Sequence, residues 1–230
     1  KFGEGVAVHC ADEIIVLSQN VQNYFLETYG RKTVFIPNGI SRPVYCEPQE
    51  ITALYGLKKD DYILFLGRLV PEKGLANLVL AFRQVKTDKK LVIAGGSSDS
   101  GAFKRELISL ANGDDRILFT DFVQGRTLEE LYSNAYFYTL PSDLEGMPLS
   151  LLEAMSYGNA CLVSDIPECT EVVKDHAVTF RKGDRDDLRE KLQMLCDSPE
   201  TVARFREDAC EYILGKYNWD DVVQQTLALY

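Results

Sequence analysis

The chain has 230 residues, 46% hydrophobic and 26% charged, with a formal net charge of -10. That length supports a core burying roughly 70% of the unfolded surface without a covalent staple, and the acidic balance opposes nonspecific binding to nucleic acid or anionic lipid. Cys10, Cys46, Cys161, Cys169, Cys196 and Cys210 form no Cys-x-x-Cys pair and no metal-ligand pattern with the only histidines, His9 and His176, so the composition argues against a zinc site or a disulfide scaffold and for free thiols.

Short β-branched runs alternate with helical patterns along the chain, which predicts an α/β fold with a doubly wound, Rossmann-like parallel sheet. The first expected strands are IIVLS (14–18) and TVFIP (33–37). Residues 41–60, with Pro43, Pro48 and little helical pattern, read as a linker. Residues 1–40 are too few to cover both faces of a sheet and are expected to be the tail of a preceding domain. Beyond the linker the expected strands are YILFL (62–66), KLVIAG (90–95), RILFT (116–120), YFYTL (136–140), ACLVS (160–164) and AVTFR (177–181). Several are apolar on both faces, as strands covered by helices on both sides should be. Helical periodicity is expected over 75–85, 103–112, 184–196 and 199–215, and again in WDDVVQQTLALY at the end of the chain. No apolar run approaches the roughly 18 residues of a transmembrane segment.

Open parallel sheets bind ligands beyond the carboxyl ends of their strands, and three of those loops carry chemistry. LGRLVPEKG (66–74) presents Arg68 and Lys73 among Gly67, Pro71 and Gly74. A forked guanidinium with a mobile ammonium suits a diphosphate, although two loop cations taken alone read more readily as solvated charge. AGGSSDSG (94–101) ends a strand on paired glycines, so Gly95 allows close backbone approach; by itself it also reads as a flexible connection. The third loop, LEGMPLSLLEAMSYG (144–158), places Glu145, Gly146 and Met147 ahead of a helix that Pro148 can open and Gly158 can stop. Free backbone NH groups from about 147 to 150 favour an anion there. Glu153 falls on one helix side with Ser150 and Tyr157, where it is either a ligand group or part of a solvated stripe. Together, a basic loop, a helix N-terminus and two carboxylates have the shape of a nucleotide-sugar site, with one carboxylate accepting ribose hydroxyls as acidic residues do in dinucleotide-binding folds.

The segments ADEIIVLS, VFIPNGI, YILFLGRLVPEKG, LVIAGG, PSDLEGMPLSLLEAMSYGNACLVSD, PECTEVV and YNWDDVVQQTLALY, in this order, resemble the retaining glycosyltransferases of the two-domain GT-B fold, family 4 (glycosyl transferases group 1). The resemblance implies that 61–215 is a donor-binding domain and 1–40 a remnant of the acceptor domain. It also implies that 216–230 is a crossover helix, partly orphaned without that domain. It makes Glu145 and Glu153 the Glu-x7-Glu pair of the donor site, with Glu153 on the ribose and Glu145 beside the donor sugar. Arg68 and Lys73 match the basic pair that neutralises the departing diphosphate, a role a metal plays elsewhere; neither metal nor cofactor is expected. Gly67, Gly95, Val123, Gly146, Met147, Pro148, Leu149 and Ser150 are the further donor-binding positions, Val123 through its backbone at the base. Relatives often carry Phe-Gly where Met147 and Pro148 stand, which makes this loop stiffer and one NH poorer.

The implied function is transfer of a sugar from a nucleotide-diphosphate donor to an acceptor, with retention at the anomeric carbon. The partners are then a nucleotide sugar and a carbohydrate or lipid acceptor held by the first domain, with no nucleic acid. The expected location is the cytoplasm, with any membrane contact made through that domain, and the isolated fragment is expected to be inactive. Two rivals stand beside it: a nucleotide-sugar epimerase on the same architecture, and a binding module or subunit without catalysis of its own.

Overall fold

A computed structural model describes residues 2–96 and 101–230. The chain begins with α1 (Phe2–Cys10), β1 (Ile15–Val16), α2 (Gln19–Tyr29) and β2 (Val34–Phe35), the two strands pairing in parallel. Both strands are shorter than their apolar runs suggest, because each has a neighbour on one edge only. Ser18 caps α2 by accepting from the NH of Val21, and Gly30 closes it in the left-handed region.

The segment expected to be a linker is one only at its start. Its second half forms α3 (Glu50–Tyr55), and Ile51 and Leu57 lie wholly inside the core. Asn134 donates to the Cys46 carbonyl at 2.9 Å, and the NH of Cys46 donates to Ser133 at 3.0 Å. Tertiary burial of two side chains thus overrides what the prolines and turn residues imply locally.

The main body contains β3 (Tyr62–Leu66), a 3-10 turn (Pro71–Lys73), α4 (Leu75–Phe82), β4 (Lys90–Ala94), α5 (Ala102–Ala111), β5 (Ile117–Asp121) and α6 (Gly125–Asn134). It continues through β6 (Phe137–Leu140), α7 (Leu149–Ser156), β7 (Cys161–Ser164), α8 (Pro167–Val173), β8 (Val178–Phe180), α9 (Arg185–Asp197) and α10 (Pro199–Lys216). Its six strands are all parallel, in the order β5-β4-β3-β6-β7-β8. This is the doubly wound order, and its reversal lies between β3 and β6, where successive connections leave for opposite sides of the sheet and open a crevice. Residues 62–65, 91–94, 137–140 and 161–164 are buried throughout, as in a sheet covered on both faces. Helices α4 and α9 pack on each other, as do α7 and α10. All six cysteines are free. Among the described residues, no helix is long and apolar enough to cross a membrane.

The last helix, α11 (Trp219–Leu227), buries none of its side chains. It is tied at its base, where the NH of Ile40 donates to the Tyr217 carbonyl at 2.6 Å and the Trp219 ring lies over Gly39. The chain therefore passes between the β1–β2 unit and the main body at two adjoining points, residues 39–40 and 217–219.

Candidate functional site

The loops leaving β3, β4, β5 and β6 are stitched together by backbone hydrogen bonds at the carboxyl edge of the sheet. Gly67 donates to the Ala94 carbonyl at 3.0 Å, Leu69 to Gly96 at 3.0 Å and Gly95 to Asp121 at 2.9 Å. The NH of Asp143 donates to the Glu72 carbonyl at 2.8 Å, joining the two walls of the crevice between β3 and β6. Two glycines permit this closeness. Gly95 has φ 149°, and a Cβ there would stand 1.8 Å from the Gly67 oxygen; Gly74 has φ 67°, and its Cβ would stand 2.0 Å from the Pro141 oxygen.

Across that crevice Lys73 Nζ donates to Glu145 Oε1 at 2.6 Å, and Ser142 Oγ donates to the same oxygen at 2.6 Å. Both charged side chains are nearly enclosed, 14% exposed for Lys73 and 7% for Glu145. The sequence presents the two in separate loops 72 residues apart, and the switch in strand order makes them neighbours. Ser142 is held in turn, its carbonyl accepting from Ser164 Oγ at 2.5 Å. Arg68 lies on the same loop as Lys73 but is exposed, and among the described residues it makes no hydrogen bond or ion pair.

The turn before α7 differs from the expected row of open NH groups (147–150) at one position, Leu149. Leu149 donates to the Met147 carbonyl at 2.9 Å, and Leu151 and Leu152 both donate to that of Pro148. Pro148, at the N-cap with ψ 81°, bends the chain tightly enough to turn the Leu149 NH back inward. Gly146 is exposed, and Met147 is half-buried, its sulfur accepting from the NH of Asn38 at 3.1 Å. Ser150 Oγ accepts from the Tyr138 hydroxyl at 2.8 Å.

Glu153 opens onto a different space. With Gly39, Gly125, Leu149, Tyr157 and Trp219 it lines a cleft of about 460 Å³, which Lys73 and Glu145 do not touch. Its Oε2 accepts from the Tyr132 hydroxyl at 2.8 Å. Leu149 is half-exposed at the mouth. Val123 is half-buried between β5 and α6, which Gly125 opens two residues later. The loop after β4 is described only at Gly95 and Gly96; the rest of its glycine and serine run, 97–100, lies outside the described residues. His9 is exposed and His176 stacks on Tyr212 at 3.8 Å, both away from these loops.

Three residues important to this geometry escape sequence reasoning. Ser142 and Asn38 lie within segments that carry the family resemblance but receive no role from it, and Tyr132 lies outside them: a serine after a strand, a tyrosine on an amphipathic helix and an asparagine in a turn are ordinary in those places. Buried Glu130 is a fourth, on α6, and it serves structure. It accepts from the NH groups of Gln49 and Ile51 at 2.9 and 3.1 Å and from Arg126 Nε at 3.0 Å. Burial alone raises its pKa, and these donors outweigh that, holding its carboxyl below the usual glutamate range.

Among proteins of known sequence, the chain is 26% identical to an alpha-maltose-1-phosphate synthase of Mycolicibacterium smegmatis, covering 99% of this chain and 65% of that protein. It is 22% identical to the O-antigen chain mannosyltransferase RfbU of Salmonella typhimurium, covering 97% and 61%. The chain thus spans less than two thirds of these relatives. The fold matches Anabaena Alr3699/HepE, solved in complex with UDP and glucose, at a TM-score of 0.90 and 18% identity over 99% of this chain and 65% of that one. It also matches the sucrose-phosphate synthase of Thermosynechococcus elongatus at 0.83 and 23%, over 99% and 59%. These neighbours are GT-B glycosyltransferases. The model of the family described as glycosyl transferases group 1 matches residues 49–212, from the helix that Glu130 caps, through both walls of the crevice and α7, into α10. On that match across most of its length, the chain belongs to the glycosyl transferases group 1 family.

Proposed function

We propose that this chain is the donor-binding part of a retaining glycosyltransferase that moves a sugar from a nucleotide diphosphate to a carbohydrate or lipid acceptor. The observation that carries the reading is the Lys73–Glu145 pair at the crevice between β3 and β6, the position where doubly wound sheets take ligands. On arrival of the donor, Lys73 exchanges Glu145 for phosphate oxygens, and Glu145 exchanges Lys73 for sugar hydroxyls. The enclosed pair is a preformed set of one cation and one acceptor with little water to displace. Arg68, exposed and unpaired among the described residues, adds a second cation from the same loop.

The barrier lies in breaking the bond between the anomeric carbon and the diphosphate. Lys73 and Arg68 lower it because negative charge grows on the leaving oxygens as that bond stretches, so their attraction is stronger in the transition state than in the ground state. This assigns the charge-neutralising role to protein cations rather than a resident metal. Glu153 accepts ribose hydroxyls, Val123 meets the base through its backbone, and Gly67, Gly95, Gly146, Met147, Pro148, Leu149 and Ser150 line the path between. Retention is supported by the Glu-x7-Glu resemblance. Glu145 orients the sugar and is not assigned as a covalent nucleophile, since its partner carboxylate serves the ribose. Residues 1–40 and α11 border the acceptor side, which makes transfer a property of the whole protein and donor binding a property of this chain.

Calorimetric titration with UDP, GDP and ADP tests the reading, with Arg68→Ala and Glu153→Ala alongside. We expect one of the three to bind and each variant to weaken it. No heat from any of them at millimolar concentration, in a folded sample, overturns the donor-site assignment.

A further inference from the structure

The carboxylate of Glu153 stands on the open side of α7, in a cleft that Ser41, Arg42, Glu129 and Ser156 also line. One side chain restrains it. The Tyr132 hydroxyl, from α6, donates to Glu153 Oε2 at 2.8 Å and lies 3.3 Å from the Ser150 carbonyl one turn earlier. The tyrosine itself has almost no freedom. It is 2% exposed, its ring stacks on Tyr157 at 5.3 Å and 19°, and it leans on Tyr138 at 6.3 Å. Burial pushes its hydroxyl well above the usual tyrosine range, so it remains a donor throughout working pH. Among the described residues, Glu153 Oε1 has no protein partner.

We infer that Tyr132 is a positioning residue for the donor: by holding Oε2 it locks the Glu153 carboxylate in one rotamer and leaves Oε1 to accept the ribose diol. The inference rests on the reading of Glu153 as the ribose-binding carboxylate. The physical gain is preorganisation. A glutamate side chain free to turn in water must lose its rotamer entropy when it binds, whereas one already tied to a buried, stacked ring has lost it on folding. The Tyr132 side chain reaches the cleft wall but is only 2% exposed, so removal of its hydroxyl should be felt chiefly by ligands that use the carboxylate.

The test pairs UDP, GDP and ADP with their 2′,3′-dideoxy counterparts, titrated into wild type, Tyr132→Phe and Glu153→Ala. For the base that binds, Tyr132→Phe is expected to weaken the ribonucleotide about 10-fold, the scale of one hydrogen bond to a charged group, and to leave the dideoxy form within about twofold. Equal weakening of both forms, which is what loss of packing gives, overturns the inference, and so does no weakening at all. If Glu153→Ala leaves the ribose preference intact, the ribose reading falls and takes the inference with it. If Glu153→Ala abolishes the preference while Tyr132→Phe retains it, the inference alone falls. Should Tyr132→Phe not fold, Glu153→Asp replaces it: one methylene shorter, that carboxylate cannot serve both Tyr132 and the diol. The preference should then drop to the Glu153→Ala level, and full retention overturns the inference.

Discussion

The crevice between β3 and β6 and the cleft beside α7 each hold one glutamate of the same Glu-x7-Glu pattern, and they treat it oppositely. In the crevice, Glu145 is 7% exposed and has both an ammonium and a hydroxyl on one oxygen. In the cleft, Glu153 has a single phenol donor and faces an opening of about 460 Å³. An enclosed carboxylate needs a partner even when no ligand is present, because an unpaired buried charge is costly. One at an open cleft is served by water. On the proposed reading, a ligand would enter the two places by different physics, exchanging an ion pair in the first and displacing solvent in the second.

The sharpest way to break that contrast is Lys73→Ala. It leaves Glu145 enclosed without its cation, and stability should fall by about 3 kcal/mol in denaturant unfolding, the low end for breaking a buried pair because Ser142 remains. Adding Glu145→Ala should recover most of the loss. Gly74→Ala tests the same wall through the backbone. With φ 67° and the Pro141 oxygen 2.0 Å from its new Cβ, it should destabilise by about 2 kcal/mol and weaken nucleotide binding as the crevice spreads.

The cleft wall answers to acid through Glu130, two residues from Tyr132 on α6. Its carboxyl lies below the usual glutamate range in the folded protein, so the unfolded chain takes up the proton first. The contribution is therefore fully present above about pH 4.3, the unfolded value, and is lost as pH falls from there through the folded value. The stability difference between wild type and Glu130→Gln should be constant above about pH 5 and shrink below it. The smallest expected change is that of Glu153→Ala on stability, within about 1 kcal/mol for one partly exposed hydrogen bond, while ribonucleotide binding drops. A larger stability loss would show that the cleft glutamate also holds the fold together.

Much of the main body was legible in the sequence. The strand at 62–66 matches residue for residue, and the other five differ from their apolar runs by a residue or two at the ends, because β-branched runs between turn signals leave few alternatives to a buried parallel strand. The segment 46–57 was not legible: Pro48 and its polar residues suggest a linker, and only the fit of Ile51 and Leu57 into the core and the cap from Glu130 draw it in. The site was legible in part. Gly, Arg, Lys and Glu after strands mark loops that face a ligand, but nothing in LEGMPLS announces that the Leu149 NH turns back to Met147.

The sequence by itself determined which loops carry charge, which runs become strands and that α7 starts just after Pro148 and stops by Gly158, since periodicity, proline and glycine act within a few residues. The tertiary structure alone decided that Lys73 closes on Glu145 rather than staying in solvent, and that Tyr132 takes hold of Glu153. Those pairings depend on strand order and on the approach of backbones at Gly74 and Gly95, which bring together residues whose separation along the chain contains no record of their distance in space.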